Sequence, residues 1–278
     1  MVLFNYYICA KFFKMFAQFL DYLQTADPFS APMLAILIGV GFFVGFVNTL
    51  AGMATVLSYA LFMAMGMPIN IANGTTRFGV LAQFAVSSVI FKREGYLDLK
   101  EGYRVGIPVA IGSLVGAQLV AVMNPKIIEI VMGCILPFMA YLLVSDKKPN
   151  FSSIGGVSSK ITLSKFIIFT LIGVYGGFTH AGVGILIIFG SVYLLGTDML
   201  RGNAIKQFAV VMYTPIALAV FIWHDQVNWP IALIYSIGNI AGAVLASKLA
   251  VKWGVKFIRW CVGAAVIFVA FWLIYKQF

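Results

Sequence analysis

The sequence predicts an all-α membrane protein: a polytopic helical bundle of two inverted repeats, each a glycine-broken helical hairpin plus three transmembrane helices. Hydrophobic residues make up 62% of the 278 residues and charged residues only 10%, whereas soluble domains carry roughly 25% charged residues. The apolar residues form long runs, such as 33–65, 167–195 and 262–275. Because a membrane helix needs about 20 mostly apolar residues, these runs predict several spans.

An internal repeat supports the division into two halves. Three residues of the first half recur 130 positions later, so that Gly66, Asn73 and Phe78 correspond to Gly196, Asn203 and Phe208. Neighbouring matches have offsets of 132 and 126, which short insertions explain. The predicted segments are an N-terminal interfacial or extra helix (1–30), a first transmembrane repeat (31–145), a cytoplasmic linker (146–164) and a second transmembrane repeat (165–278).

Each repeat contains one broken apolar stretch followed by three ordinary spans. In the first repeat we expect the broken stretch at 33–64 and spans near 77–91, 104–122 and 127–144. In the second we expect the broken stretch at 166–195 and spans near 205–222, 230–248 and 258–275.

The distribution of basic residues predicts how the repeats are oriented. Of the 19 Lys and Arg residues, 14 lie in 92–104, 147–165, 196–206 and 248–259. Basic loops are retained in the cytoplasm. The corresponding loops 92–104 and 222–229 then lie on opposite sides, so the repeats would be inverted. Each broken stretch would also enter and leave the membrane on one side. A parallel repeat, in which each broken stretch crosses once, remains the alternative.

The broken stretches are candidate binding elements. We expect helix breaks at glycines, which allow sharp turns: Gly45, Gly52, Gly177, Gly182 and Gly184. A helix that restarts after a break directs free N–H groups and a positive dipole into the interior, which suits an anion. Polar residues lie among the glycines, and Asn48, Thr49, Thr179 and His180 are candidate substrate contacts. The alternatives are plain helix packing for the glycines and hydrogen-bonded packing for the histidine.

A second polar motif supplies one cation in each half. Asn73 and Arg77 in the first half correspond to Asn203, Lys206 and Gln207 in the second, and each motif is expected to open a span with uncapped amides. Arg77 and Lys206 would attract the anion, although a snorkelling interfacial cation is the alternative interpretation. With inverted repeats the two motifs face opposite sides. One small anion touches both only if the segments dip inward, and otherwise they would serve as two gates.

The acidic residues are informative through their positions. No Asp or Glu lies at the centre of an apolar run, whereas a cation pathway usually needs one. This argues for anionic cargo. No catalytic motif and no cysteine pair with metal-ligand spacing occurs, so we expect no enzyme activity, no cofactor and no metal. The net charge of +10 is explained by cytoplasmic loops rather than by nucleic-acid binding.

Several motifs together resemble one known family. The glycine-broken first segments, the stretch 72–77 (Ala-Asn-Gly-Thr-Thr-Arg) and the stretch from Gly238 to Trp260 resemble the TauE/SafE sulfite exporter family, over about residues 35–275. The resemblance implies a multi-pass transporter of the bacterial inner membrane for sulfite, sulfonates or related oxyanions, usually outward. The first break departs from the family's Gly-x-Gly-Gly-like run, since this chain has Gly-Met-Ala-Thr at 52–55. The second break, Gly-Val-Gly-Ile at 182–185, is nearer to it.

These observations together predict a secondary transporter, and specifically an exporter, of small sulfur-containing oxyanions such as sulfite or organosulfonates, working by alternating access. The alternatives are a carrier or channel for another small solute and a non-transport membrane assembly factor. The expected partners are a small anionic substrate and the lipid bilayer, without nucleic acid, and a homodimer is left open.

Overall fold

The computed structural model describes residue 18 and residues 20–52, 54–133 and 161–275, with side chains as far as residue 254. These ranges are helical and contain no strand. The principal helices are α1 (Ala31–Leu50), α2 (Thr55–Ala64), α3 (Ile69–Arg93), α4 (Leu99–Val122), α5 (Leu163–Phe178), α6 (Val183–Leu195), α7 (Met199–Trp223) and α8 (Trp229–Tyr275). Parts of three predicted segments lie outside the described residues: 1–17 of the N-terminal helix (1–30), 134–144 of the span near 127–144, and 146–160 of the linker (146–164).

Four helices are long and apolar enough to cross a membrane: α1, α4, α7 and the part of α8 that ends at Gly254. At Gly254 the backbone leaves the helical region (φ 67°, ψ −157°). Helices α2, α5 and α6 have 10, 16 and 13 residues, so each is shorter than the roughly 20 residues of a full span. The all-helical membrane architecture is therefore confirmed for the described residues.

The two polar motifs do not open their spans, contrary to expectation. Helix α3 begins at Ile69 rather than near 77, with Pro68 as its N-cap. Helix α7 begins at Met199 rather than near 205, because the Asp198 carboxylate caps the amides of Leu200 and Arg201. Both motifs therefore lie beyond the first helical turn, where backbone amides bond to carbonyls of the preceding turn. The predicted uncapped amides are absent from these two motifs.

Two of the five predicted break glycines interrupt helices. Gly52 (φ +80°) lies between α1 and α2, and Gly182 (φ +81°) lies between α5 and α6; both φ values favour glycine. The prediction is wrong for Gly45, Gly177 and Gly184, which lie within α1, α5 and α6. These three permit close packing instead, since an added Cβ would overlap the backbone of Asn239, Ser113 and Gly52, respectively.

Each broken stretch folds back on itself as a helical hairpin. In α5–α6, an added Cβ at Gly190 would overlap the ring of Phe169, although the break lies between these residues. In α1–α2, Gly41 and Phe62 both contact Tyr235, whose ring is 5.1 Å from the Phe62 ring. We call residues 48–55 the first tip and residues 178–184 the second tip. The tips meet where Gly52 contacts Gly184.

Helices α3 and α7 correspond to each other at the repeat offset and run in opposite directions. Helices α3 and α7 each have 25 residues, and both ends are offset by 130 positions. Phe91, near the end of α3, shares a cluster with Leu200 and Ala204 at the start of α7. At the other end, Gly74 of α3 lies against Phe221 of α7. The two helices are therefore antiparallel.

The first helix of each half packs against the other half. Gly238 and Gly242 of α8 lie against the backbone of α1, and Gly112 and Gly116 of α4 lie against the backbone of α5. Small residues at four-residue spacing allow such close contact between membrane helices. Both glycine pairs therefore serve helix packing. The interlocking brings both tips to the middle of the bundle.

Candidate functional site

All nine predicted substrate-binding residues are buried near the two tips. None exceeds 1% exposure. They are Asn48, Thr49, Asn73, Arg77, Thr179, His180, Asn203, Lys206 and Gln207. Ionisable and amide side chains are costly inside a membrane protein unless other groups satisfy them. Each of these side chains therefore needs hydrogen-bond partners within the protein.

Arg77 binds the carbonyl end of α5, in the other half. Its Nη1 and Nη2 atoms donate to the carbonyl oxygens of Gly176 and Gly177 at 2.8 and 2.7 Å. Asn73 Nδ2 donates to the carbonyl oxygen of Phe178 at 2.8 Å. The last carbonyls of a helix lack partners within it and carry partial negative charge. The guanidinium and the amide satisfy these orphan groups.

Lys206 binds the carbonyl end of α1, again in the other half. Its Nζ donates to the carbonyl oxygens of Asn48 and Thr49 at 3.1 and 2.7 Å. Gln207 Nε2 donates to the same Thr49 oxygen at 2.8 Å. We call the Arg77 and Lys206 contacts the reciprocal caps, because each half caps the hairpin of the other. The snorkelling alternative does not fit two fully buried cations.

The second tip has a continuous hydrogen-bond network. Asn73 Oδ1 accepts from Arg77 Nε at 3.2 Å and from Tyr59 Oη at 3.1 Å. The backbone N–H of His180 donates to Tyr59 Oη at 3.2 Å. His180 Nδ1 is hydrogen-bonded to the hydroxyl of Tyr213. The histidine is thus held at both its backbone and its ring.

The network brings the two cations to one place. The ring of Phe84 lies 5.6 Å from the His180 ring and 5.5 Å from Lys206 Nζ. Arg77 reaches the same histidine through Asn73 and Tyr59. The two motifs, expected to face opposite sides, dip inward with the tips, and each connects to His180 through one or two intervening side chains.

The centre is positively charged. Within the described part of the chain, no Asp or Glu is buried, and neither Arg77 nor Lys206 forms an ion pair with a carboxylate. Helices α2 and α6 both begin at the tips without a side-chain cap. Two cations and two helix N-termini therefore lie together without a negative side chain. In the same part of the chain no cluster of three His, Cys, Asp or Glu could hold a metal.

The first tip differs in having amides with unpaired atoms around it. In the described residues these buried atoms have no hydrogen-bond partner: Asn48 Oδ1, Asn203 Nδ2, Gln207 Oε1, Asn239 Oδ1 and both Nε2 and Oε1 of Gln83. Such groups are rare in folded proteins and call for an explanation in each case. At the second tip, both atoms of the Asn73 amide are bonded.

Several residues of this centre were not predicted from the sequence: Tyr59, Gln83, Phe84, Tyr213, Tyr235 and Asn239. One available signal was helical spacing of polar residues in apolar spans. Gln83 and Ser87 are four residues apart, as are Tyr235 and Asn239, so each pair shares a helix face.

The sequence profile described as sulfite exporter TauE/SafE matches residues 37–273. The chain belongs to the sulfite exporter TauE/SafE family. Among similar proteins, a probable membrane transporter of Sinorhizobium sp is 27% identical over 82% of this chain and 87% of its own length. A probable membrane transporter of Haemophilus influenzae is 27% identical over 82% and 89%. A third, from Escherichia coli, is 24% identical over 81% and 84%.

No solved structure matches this TauE/SafE protein. Its family, its relatives and its apolar helices agree on one assignment. This TauE/SafE protein is a multi-pass membrane transporter, and its relatives are named as transporters rather than enzymes.

Proposed function

We propose that this TauE/SafE protein exports small sulfur-containing oxyanions, such as sulfite or organosulfonates, across the bacterial inner membrane. The observation that carries the proposal is the buried positive centre formed by Arg77, Lys206 and the N-termini of α2 and α6. A low-dielectric site strengthens such charges. A small anion is the species that best balances them.

The substrate contacts in this proposal are the polar side chains of the tips, Asn48, Thr49, Thr179 and His180. The two cations supply charge while their caps hold the hairpins. An ammonium has three donors and a guanidinium has five. The reciprocal caps use two donors of Lys206, and Arg77 makes three bonds. Asn73, Asn203 and Gln207 position the cations and the carbonyls beside the anion.

Alternating access between two inverted repeats, 31–145 and 165–278, is the proposed transport mechanism. The antiparallel α3 and α7, the 130-residue offset and the paired hairpins support it. Transporters with inverted repeats and broken helices bind substrate near the membrane midplane. In this chain the tips occupy the middle of the bundle.

The basic residues support a cytoplasmic side. The turn at Tyr96 and Leu97, the start of α7 at Leu200 and α8 at Ala250 form one cluster. Basic loops flank this cluster, as expected for the cytoplasmic end. With the interior negative, each exported unit negative charge gains about 2.3 kcal/mol per 100 mV. Export of an anion therefore needs no coupled ion in this proposal.

Flux into proteoliposomes tests the proposal. Labelled sulfite, an aminosulfonate, sulfate and an uncharged solute of similar size would be compared at imposed potentials. We expect saturable flux of sulfite or the sulfonate. The anion should leave the compartment of negative potential faster as the imposed potential increases. Flux of the uncharged solute alone would favour a carrier for another small solute, and absence of all flux would overturn the proposal.

The orientation of the repeats has its own experiment. Lys100→Cys lies in the first turn of α4 and Asp225→Cys in the turn between α7 and α8, at the two ends of the bundle. Labelling with an impermeant thiol reagent in intact cells reports the side of each. Because the chain has three native cysteines, the background is a chain with these replaced by alanine. We expect labelling of Asp225→Cys alone, whereas equal labelling would contradict inversion.

A further inference from the structure

Gln83 of α3 is exceptional among the described residues. It has 0% exposure, and it is the one buried side chain in those ranges whose nitrogen and oxygen both lack a hydrogen-bond partner. A buried amide without partners is strongly unfavourable, so a leucine of similar size would be more stable there unless something else bonds the amide. Gln83 therefore lowers the stability of the folded protein relative to an apolar residue at this position.

Neighbouring turns of α3 indicate the direction of the Gln83 side chain. Residues four apart share one helix face. An added Cβ at Gly79 would overlap Asn239 Nδ2, and Ser87 Oγ lies 3.4 Å from Thr49 Oγ1 at the first tip. Gln83 lies between these two contacts. Its amide therefore faces the space where α1 and α8 meet, next to the first tip.

The repeat shows what is missing beside Gln83. At an offset of 130 it corresponds to Tyr213, whose hydroxyl is hydrogen-bonded to the ring of His180. At the offset of 132 that applies to the broken stretches, His180 corresponds to Asn48, whose Nδ2 donates to Thr55 Oγ1 at 3.1 Å rather than to Gln83. In the second half, the hydrogen-bond partner of Tyr213 is a residue of the protein itself, His180. In the first half no described side chain takes that place.

We infer that Gln83 binds the transported anion directly, with Nε2 donating to an oxyanion oxygen and Oε1 accepting from a cargo hydroxyl or amine. This inference rests on the proposed function. Lys206 lies near, with its Nζ 5.5 Å from the ring of the adjacent Phe84. An amide that both donates and accepts favours hydrogensulfite or an aminosulfonate over sulfate, whose oxygens only accept hydrogen bonds at neutral pH.

Gln83→Leu tests this binding role. We expect KM for hydrogensulfite or the aminosulfonate to rise about tenfold, the loss typical of one hydrogen bond to a charged group. We expect the substrate-free protein to melt at a higher temperature, because the unpaired amide is gone. A purely structural glutamine would give the opposite shift, a lower Tm. An unchanged KM or a lowered Tm would overturn the inference.

Two matched variants separate the interpretations. Gln118→Leu makes the same change at an exposed position of α4 and should leave both KM and Tm unchanged. Gln83→Glu removes the donor and adds a negative charge, so flux should fall further than in Gln83→Leu. If the wild type transports sulfite and Gln83→Leu has a normal KM, only the inference about Gln83 is rejected and the proposed function stands. Absence of oxyanion flux in the wild type rejects the proposed function and the inference together.

Discussion

The two tips have the same backbone plan and different chemistry. At the second tip, a guanidinium fork and an asparagine bond three consecutive carbonyls, and His180 is fixed by two tyrosines. At the first tip, an ammonium and a glutamine bond two carbonyls. Amides around the first tip have unpaired atoms.

The comparison indicates that the tips of the two repeats have different roles. Arginine binds planar pairs of acceptors in a rigid fork, whereas lysine is a flexible point charge. A fully bonded tip resists rearrangement, because each broken bond leaves a buried group unpaired. A tip with spare donors and acceptors can bond a ligand. We therefore expect the second tip to act mainly in stability and the first tip mainly in binding.

Arg77→Met should have the largest effect on stability. It leaves the carbonyl oxygens of Gly176 and Gly177 without a donor, and each buried unsatisfied group costs about 1–3 kcal/mol. We expect a loss of several °C in Tm, measured by thermal unfolding in detergent. Arg201→Met, which removes an exposed arginine paired with Asp198, is the control and should change Tm little. Equal Tm values for both variants would contradict the cap.

Lys206→Met should have a smaller effect that appears in the other half of the sequence. It frees the carbonyls of Asn48 and Thr49, so the first tip should open to solvent. Thiol labelling of Thr49→Cys should become faster in this background, while labelling of Thr179→Cys stays the same.

Arg77→Met should give the reverse pattern of labelling. If both cations served only to attract the anion, neither variant would change the labelling of one tip selectively. Such a result would remove the reciprocal caps from the mechanism while leaving the charge argument in place.

Gly52→Ala should come next in size. The φ of +80° is unfavourable for alanine, by roughly 1–2 kcal/mol, and the new methyl group would also press on Gly184. Lower Tm and slower flux are both expected, since the contact between the tips is disturbed. Gly39→Ala is the control, because nothing lies within 4 Å of the added Cβ there. A Gly52→Ala protein as stable as Gly39→Ala would show that this contact is loose.

Tyr213→Phe should have the smallest effect of the four. It removes one hydroxyl, the partner of His180 Nδ1, at a cost of about 1 kcal/mol. Tm should fall slightly and KM should remain close to the wild-type value, as expected for a structural contact at the second tip. A large rise in KM with unchanged Tm would instead show that the second tip contributes most of the substrate binding and would reverse the comparison.

The sequence predicted much of this centre because burial of polar residues in apolar runs is visible without coordinates. Asn48, His180, Arg77 and Lys206 stood out as polar groups in hydrophobic surroundings, and all four are buried. The repeat offset also matched Gly66 to Gly196, and both have positive φ. Such features depend on local composition and spacing.

The partners of these residues could not be predicted. The bonds of Arg77 to Gly176 and of Lys206 to Asn48 join residues 99 and 158 positions apart, and nothing in local sequence encodes such a pairing. The start of α3 was also misplaced, because the polar motif looked like a loop. Tertiary packing buries that polar turn beside Gln226 and Phe178, which overrides its low apolar content.

The sequence by itself determined the solvent of this protein, the two-fold repetition of its plan and the sign of its central charge. The apolar medium follows from the small number of charges and the repetition from residues that recur at an offset of about 130. The positive centre follows from Arg77 and Lys206 beside apolar runs that hold no central carboxylate. Only the tertiary structure decided that each cation caps the hairpin of the opposite half, and that the amide of Gln83 faces the first tip without a partner. Those outcomes depend on how helices distant in sequence interlock, and the close approach at their glycines sets which carbonyls and amides can meet.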